Sequence, residues 1–179
     1  MSFNRLKFKQ LVHYVCDKAV DPSVLGSIKL NKVLYYSDMI HYKVHGSSIT
    51  GETYVKRQFG PVPRHIPSVI AELIQEKKVM RGKVDHFGRM KNEYIAVVDC
   101  DKTVFSGEEI SLIDEAFEHV CLNHTATSIS EETHGVIWQL ATMGEEIPYS
   151  TVFAANVGEI DEDDIEWANQ ILQGVREAA

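Results

Sequence analysis

Apolar residues recur every three to four positions through most of this chain, which is the spacing of helices that bury one face. Leu11 and Val15 belong to such a series and predict a first helix over about residues 4–19. A second helix is predicted over residues 27–45, with Gly46 as its stop. The pattern therefore predicts an α+β fold that is mostly helical, with about six helices, one short strand and one β-hairpin.

Two stretches break the helical spacing and are rich in β-forming residues. Residues 52–59 alternate between polar and apolar types and predict one short strand, which Gly60 and the proline after it would end. Residues 79–87 and 92–98 flank Gly88 and predict a β-hairpin. The β content is therefore expected to be small and confined to the middle of the chain.

The remaining stretches predict further helices with recognisable starts. A third helix follows the prolines of residues 61–67 and ends near Lys78. A capping box at Ser106-x-x-Glu109 opens a helix that ends near Leu122, and a second box at Ser128-x-x-Glu131 opens the next. Acidic residues at 161–164 mark the start of a last helix.

The order helix, strand, helix, hairpin over residues 27–98 is that of a winged-helix protein. A DNA-binding transcriptional regulator is therefore an alternative function, with positive charge near the third helix and the hairpin. The basic side chains concerned are Lys56, Arg57, Arg64, Lys77, Lys78, Arg81, Lys83, Arg89 and Lys91. The net charge of −8 opposes this alternative, since its long-range field repels phosphate.

Composition favours one globular domain. With 179 residues, of which 44% are hydrophobic, residues 1–179 are expected to form a single domain. The longest wholly apolar run is 94–98, so we expect neither a membrane span nor a signal peptide. Three cysteines without a C-x-x-C pair favour a reducing compartment, and the expected location is the cytoplasm.

The charge is divided unevenly along the chain. Residues 1–50 carry seven basic and three acidic side chains, residues 51–94 carry nine and five, and residues 95–179 carry two and eighteen. Such asymmetry indicates either that the two halves face each other or that each offers a different surface to a partner. A solvated acidic face is the third interpretation.

Histidines at helical spacing raise the question of a metal site. Asp38, His41 and His45 could share one helix face, but His41 lies on the apolar stripe, where a packed histidine is the more common case. His119 and His124 are five residues apart and would not share the face of an α-helix. The sequence therefore predicts no metal and no cofactor.

No motif of nucleophilic catalysis is present either. Cys16 and Cys121 fall on the apolar faces of their helices, where thiols are usually inert. The protein is expected not to be an enzyme, with a metal-dependent enzyme kept as the third hypothesis.

Three segments resemble a known family. They are residues 30–36 (LNKVLYY) followed by Gly46, residues 54–62 (YVKRQFGPV), and residues 130–138 with a histidine at 134. Together they look like the Panacea domain of SocA-like antitoxins and cover most of the chain. The resemblance implies a non-enzymatic protein that is encoded beside a toxin and neutralises it by direct binding. The SocA case implies an alternative, in which an adaptor delivers the toxin to a cytoplasmic protease.

The resemblance also suggests which residues are scaffold and which are contacts. Leu30, Leu34, Gly60 and Pro61 are interpreted as structural. The predicted partner contacts on the surface are Lys32, Tyr35, Arg57, Arg64 and His134. The favoured hypothesis for neutralisation is that the acidic surface of residues 99–179, including the acids at 161–164, occupies a basic phosphate-binding site of the toxin. In that hypothesis the front half is chiefly scaffold, and Arg57 and Arg64 are secondary anchors.

Overall fold

The computed structural model of the chain describes residues 2–86, 88–134 and 136–154. These residues form an α+β fold that is mostly helical, as predicted. The helices are α1 (Arg5–Lys18), α2 (Ser27–His45), α3 (Ile66–Gln75), α4 (Gly107–Phe117), α5 (Ala126–Glu132), α6 (Val136–Leu140) and α7 (Thr151–Ala154). The strands are β1 (Tyr54–Arg57), β2 (Gly60–Pro63), β3 (Val79–His86) and β4 (Arg89–Ala96). A 3₁₀ turn covers Pro22–Val24, and a π-helical turn covers Glu118–Leu122.

Local caps explain where the long helices begin and end. The Asn4 side chain accepts a hydrogen bond from the backbone of Lys7 and so caps α1. Helix α2 ends at Gly46, whose φ of +69° lies in the left-handed region that favours glycine. The predicted capping box of Ser106 and Glu109 opens α4. The predictions for these three helices are confirmed.

The segment after the π-helical turn differs from its prediction. Helix α5 is capped by Thr125, whose hydroxyl accepts from the backbone of Ser128, while the Ser128 side chain accepts from the backbone of Thr125. The predicted box of Ser128 and Glu131 is therefore wrong by one helical turn, because the earlier threonine takes the capping role. The predicted last helix after residue 161 lies outside the described residues.

The single strand predicted before Gly60 is in fact a hairpin. The chain turns at Gln58 and Phe59, and β2 then pairs with β1 in antiparallel register. Two of the four residues of β2 are prolines, which the pairing tolerates because β2 has no strand on its other side in the described structure. On the opposite edge of β1, the backbone of Ile147 donates to the carbonyl of Tyr54, at 2.8 Å.

The second hairpin forms as predicted, with β3 and β4 paired from Val79 and Ala96 down to His86 and Arg89. Among the described residues, this hairpin does not pair with β1 or β2. Within the described residues, the β1–β2 hairpin takes the place of the single strand of a winged helix, and it does not join the β3–β4 wing.

Helix α2 lies at the centre of the core and packs against α1, α4, α5 and β2. Leu30 and Leu34 on this helix are fully buried, as the scaffold interpretation predicts. Burial of each such side chain contributes about 2 kcal/mol relative to exposure. No helix within the described residues is long and apolar enough to cross a membrane.

Ion pairs connect the basic front half of the chain to the acidic back half. Lys7 pairs with Glu109 at 2.5 Å and Lys18 with Asp114 at 2.9 Å, so α1 lies against the acidic helix α4. At these contacts the basic front half and the acidic back half face each other, which is one of the three interpretations of the charge asymmetry.

Candidate partner-binding surface

A shallow crevice of about 170 Å³ lies between the start of α2 and the tip of the β1–β2 hairpin. Helix α2 lines one wall and the hairpin lines the other. The lining residues are Ser27, Ile28, Asn31, Lys32, Arg57, Phe59, Pro61 and Val62. The crevice therefore joins two of the segments that carry the family resemblance.

Lys32 lies at this crevice but is only 1% exposed. Its ammonium group donates a hydrogen bond to the Thr133 hydroxyl at 2.6 Å. Burial lowers the pKa of Lys32 to about 7, since the charged form is poorly solvated there. The expectation that Lys32 is a surface residue is wrong, because its ammonium group points inwards to α5. A role in partner contact stays a prediction.

Gly60 makes room for this buried ammonium group. Its φ is +105°, and a Cβ at this position would lie 1.8 Å from Lys32 Nζ and 2.7 Å from Thr133 Oγ1. Any other residue would therefore be strained in its backbone and would overlap with the lysine. Gly60 and Pro61 are both buried, in agreement with their predicted structural role.

Arg57 and Phe59 stand at the exposed tip of the same hairpin. Phe59 leaves 52% of its surface accessible, although it is a large apolar residue. Arg57 is exposed and makes no ion pair or side-chain hydrogen bond with the described part of the chain. Arginine and aromatic residues are the types that contribute most to binding at protein interfaces.

Arg64 lies at the other end of the hairpin, immediately after β2. It is exposed, but its guanidinium donates to Glu146 at 2.6 Å. The hydrogen-bonding capacity of this arginine is therefore partly used within the protein, whereas that of Arg57 is free in the described structure.

Tyr35 does not line the crevice. It is half-buried, and its ring meets the ring of Tyr54 edge-on with the centroids 5.3 Å apart. Burial raises the pKa of Tyr35 to about 12, against the opposing effect of a hydrogen bond with Thr151. These contacts hold Tyr35 against β1 and α7.

His134 follows α5 and stacks on Trp138, with the ring centroids 3.7 Å apart. Lys56 belongs to β1, and its ammonium group lies 4.1 Å from the centre of the Trp138 ring. Burial lowers the pKa of His134, and the nearby charges of Lys32 and Lys56 lower it further. The stack connects the junction of α5 and α6 to the first hairpin.

The structure thus brings together two of the five predicted contacts, Lys32 and Arg57. Tyr35, Arg64 and His134 surround the same hairpin without lining its crevice. Phe59 is absent from the contacts predicted from the sequence. The sequence does contain a signal for Phe59. It stands directly before the turn glycine Gly60, at the end of a strand, where an aromatic residue is more easily exposed than in the middle of a strand.

Most residues that line the crevice lie in a segment that matches a known protein family. The sequence profile described as antitoxin SocA-like, Panacea domain, matches residues 30–139, which is more than half of the chain. The chain belongs to this family. A comparison with curated proteins found no match, and neither did a comparison with solved structures.

The Panacea-domain match includes the contact between Lys32, Gly60 and Thr133. These residues come from α2, the first hairpin and the end of α5, and are distant in the sequence. The three resembling segments of the sequence therefore meet around one buried lysine.

The metal trio considered from the sequence does not form in this Panacea domain. Asp38 is fully buried, and its oxygens accept from the backbone and hydroxyl of Thr50 at 2.8 and 2.6 Å. The Tyr54 hydroxyl lies 2.8 Å from the same carboxylate. Burial raises the pKa of Asp38 to about 6, and these hydrogen bonds limit the rise. Asp38 is therefore committed to the core and does not join His41 and His45.

The geometry of α3 disfavours the DNA-binding alternative. As the helix before the β3–β4 wing, α3 would have to enter the DNA groove. Glu72 lies on α3 outside the core, and Glu76 directly follows the last residue of the helix. The Glu72 carboxylate pairs with Arg5 of α1, and the Glu76 carboxylate pairs with Lys9 of α1. These ion pairs hold this part of α3 against α1, so it is not free to enter a DNA groove.

Proposed function

We propose that this protein is an antitoxin that neutralises a cognate toxin by binding it directly in the cytoplasm. Family membership supports this role, and the single structural observation that supports a particular surface is the pair of exposed residues Arg57 and Phe59 on a fixed hairpin tip. The toxin would contact this tip and the adjacent crevice.

The hairpin tip combines a restrained backbone with exposed side chains. The turn at Gly60 packs on Lys32, which restrains the backbone of the tip in the free protein. Binding of a partner therefore costs little backbone conformational entropy at the tip. Burial of the exposed half of Phe59 by a partner would contribute about 1 kcal/mol. The guanidinium of Arg57 can pair with a carboxylate of the toxin without breaking an ion pair or a side-chain hydrogen bond within the described structure.

The cysteines argue against catalysis by a cysteine nucleophile. Cys16, Cys100 and Cys121 are all buried and free. Burial raises the pKa to about 12 for Cys16 and Cys100, and to about 11 for Cys121. Thiols of this kind are poor nucleophiles at neutral pH.

Co-expression with the product of the neighbouring gene tests the proposal. The wild-type protein is expected to restore growth and to co-purify with that product. The variant Arg57→Ala plus Phe59→Ala is expected to lose both effects while keeping its thermal unfolding midpoint. A neighbouring product that is toxic but neither binds nor is neutralised would contradict the proposal.

Two mechanisms of neutralisation are distinguished by the amount of toxin. If the protein occludes the active site of the toxin, the toxin accumulates in a stable complex. If it is an adaptor for a cytoplasmic protease, the toxin level falls and recovers in cells that lack the protease. Either mechanism needs the contact surface that the hairpin tip offers, so the amount of toxin decides between them.

The acidic segment is the alternative contact, and it lies outside the described residues. Changing Asp161, Glu162, Asp163 and Asp164 to Asn or Gln removes four negative charges. Weaker and more salt-sensitive binding by this variant would favour occupation of a basic toxin site by these acids. Unchanged protection would leave the hairpin tip, with Arg57 and Arg64 beside it, as the favoured surface.

A further inference from the structure

His119, His124 and Glu132 converge on one point at the surface. His119 Nε2 lies 2.8 Å from Glu132 Oε1, and His124 Nε2 lies 3.2 Å from Glu132 Oε2. One nitrogen from each histidine and one carboxylate oxygen all lie within 4.8 Å of one another. All three side chains are partly accessible, since 40%, 23% and 37% of their respective surfaces are exposed.

The π-helical turn explains why these histidines meet. In an α-helix, residues five apart point in different directions, so the sequence alone predicts that His119 and His124 lie apart. The turn Glu118–Leu122 is wider, and the backbone of Asn123 donates to the carbonyl of Glu118, five residues earlier. The two imidazole rings consequently lie 4.7 Å apart, and the expectation that they would not share a face is wrong.

Neighbouring side chains hold the cluster in position. Tyr36 of α2 donates its hydroxyl to Glu132, and its ring meets the ring of His119 edge-on at 5.4 Å. The Ser128 hydroxyl lies 3.1 Å from Nδ1 of His124, and a hydrogen bond donated by Nδ1–H to its oxygen leaves the lone pair of Nε2 free to bind an ion. Such supporting contacts are typical of histidine ligands in metal sites.

We propose that His119, His124 and Glu132 bind a divalent transition-metal ion, with Zn²⁺ as the expected occupant. Two imidazole nitrogens and one carboxylate oxygen form a ligand set that suits zinc, whereas magnesium and calcium prefer oxygen ligands alone. With three protein ligands, water would complete the coordination on the exposed side.

The observed spacing fits this ion with small movements. Ligand atoms of a tetrahedral zinc site lie about 3.3 Å apart, given bonds of about 2.0–2.1 Å. Zinc would replace the contacts between each histidine and Glu132, and each imidazole would use the lone pair of its Nε2. Burial raises the pKa of Glu132, but hydrogen bonds from Tyr36 and His119 outweigh this and lower it overall, so the carboxylate is ionised as a ligand must be.

A bound ion would connect three parts of the fold. His119 lies in the π-helical turn that continues α4, Glu132 is the last residue of α5, and Tyr36 connects both to α2. The residue after Glu132 is Thr133, whose hydroxyl holds the buried Lys32. The ion would therefore stabilise the packing of α2, α5 and the π-helical turn. This inference does not depend on which surface the toxin uses.

Calorimetric titration of the full chain with ZnCl₂, after removal of metals with a chelator and dialysis, tests the site. We expect one equivalent to bind, with release of heat and a higher thermal unfolding midpoint in the presence of zinc. The double variant His119→Gln plus His124→Gln should bind at least about 100-fold more weakly. The control His41→Gln plus His45→Gln removes the other adjacent pair of imidazoles, whose rings lie 4.4 Å apart, and should bind like the wild type.

A second variant keeps the test valid if the double variant folds poorly. Glu132→Gln preserves the shape of the side chain and removes only its charge, and we expect at least about tenfold weaker binding. The absence of zinc binding to the wild type would overturn the proposal. So would equal binding by wild type and Glu132→Gln, or a loss of binding in the His41 and His45 control alone.

Discussion

The two hairpins of this Panacea domain have the same antiparallel pairing but opposite environments. In the first, Tyr54, Val55 and Gly60 are buried, and the backbone of β1 is paired on both edges. In the second, β3–β4 is twice as long, yet Met80 and Met90 are 55% and 65% exposed. Length and regular pairing therefore do not decide which hairpin belongs to the core.

Buried polar contacts make the difference between the hairpins. The first hairpin surrounds Lys32 and brings the Tyr54 hydroxyl to Asp38, so its sequence must satisfy charges within the core. The second contributes mainly Val79 and Tyr94 to the core. The residues of the first hairpin are therefore tied to partners inside the core, whereas those of the second are largely free of them.

The turn glycines give the largest expected contrast. Gly60 and Gly88 both have positive φ, but a Cβ at Gly88 would meet no atom within 4 Å. We expect Gly60→Ala to lower the free energy of unfolding by about 4 kcal/mol, from backbone strain and overlap with Lys32. Gly88→Ala should cost about 1 kcal/mol from strain alone. Urea unfolding measures both, and equal losses would show that the buried lysine does not constrain the turn.

Lys32 gives a pH-dependent test of the same region. Its pKa is about 7 in the folded protein, against the ordinary lysine value of 10.5 that applies to the unfolded chain, so the unfolded state binds more protons between these values. The stability contributed at this site therefore rises with pH over that window. We expect the difference in unfolding free energy between wild type and Lys32→Met to shift by about 2 kcal/mol in favour of wild type between about pH 7 and 9. A difference that stays constant with pH would show that Lys32 is not poorly solvated.

Two tyrosines, one in each hairpin, allow the polar contacts of the hairpins to be compared directly. The Tyr54 hydroxyl of β1 contacts the Asp38 carboxylate, whereas the Tyr94 hydroxyl of β4 lies 2.9 Å from the neutral Ser27 hydroxyl. We expect Tyr54→Phe to lower the unfolding free energy by about 2 kcal/mol and Tyr94→Phe by about 1 kcal/mol. Thermal unfolding at neutral pH measures the difference. The reverse order would place the more important polar contact in the second hairpin.

The sequence was sufficient to predict the elements that local signals specify. Apolar spacing and caps located α1, α2 and α4, and the turn at Gly88 located the second hairpin. The first hairpin was predicted as one strand, because prolines normally end strands and nothing local shows that β2 is an unpaired edge.

The candidate sites were predictable only in part, because they depend on distant contacts. Lys32 was expected on the surface, since a lone buried lysine is rare and its partner Thr133 lies about a hundred positions away. His119 and His124 were predicted to point in different directions, because an α-helix was assumed between them. The π-helical turn that brings them together has no clear signal in the sequence. Arg57 was predicted on the surface beside the turn at Gly60, and it is exposed in the structure, but its role as a partner contact stays a prediction.

The central claim is that the tip of the first hairpin binds the toxin. The most direct measurement is the affinity of the purified neighbouring gene product for three proteins, the wild type and two matched double variants. Arg57→Ala plus Phe59→Ala changes the first hairpin, and Arg81→Ala plus Met90→Ala removes an exposed cation and an exposed apolar residue from the second. We expect affinity to fall about 100-fold for the first variant, as for two interface hot spots, and to stay within about threefold for the second. A loss confined to the second variant, or wild-type affinity in the first, would contradict the account.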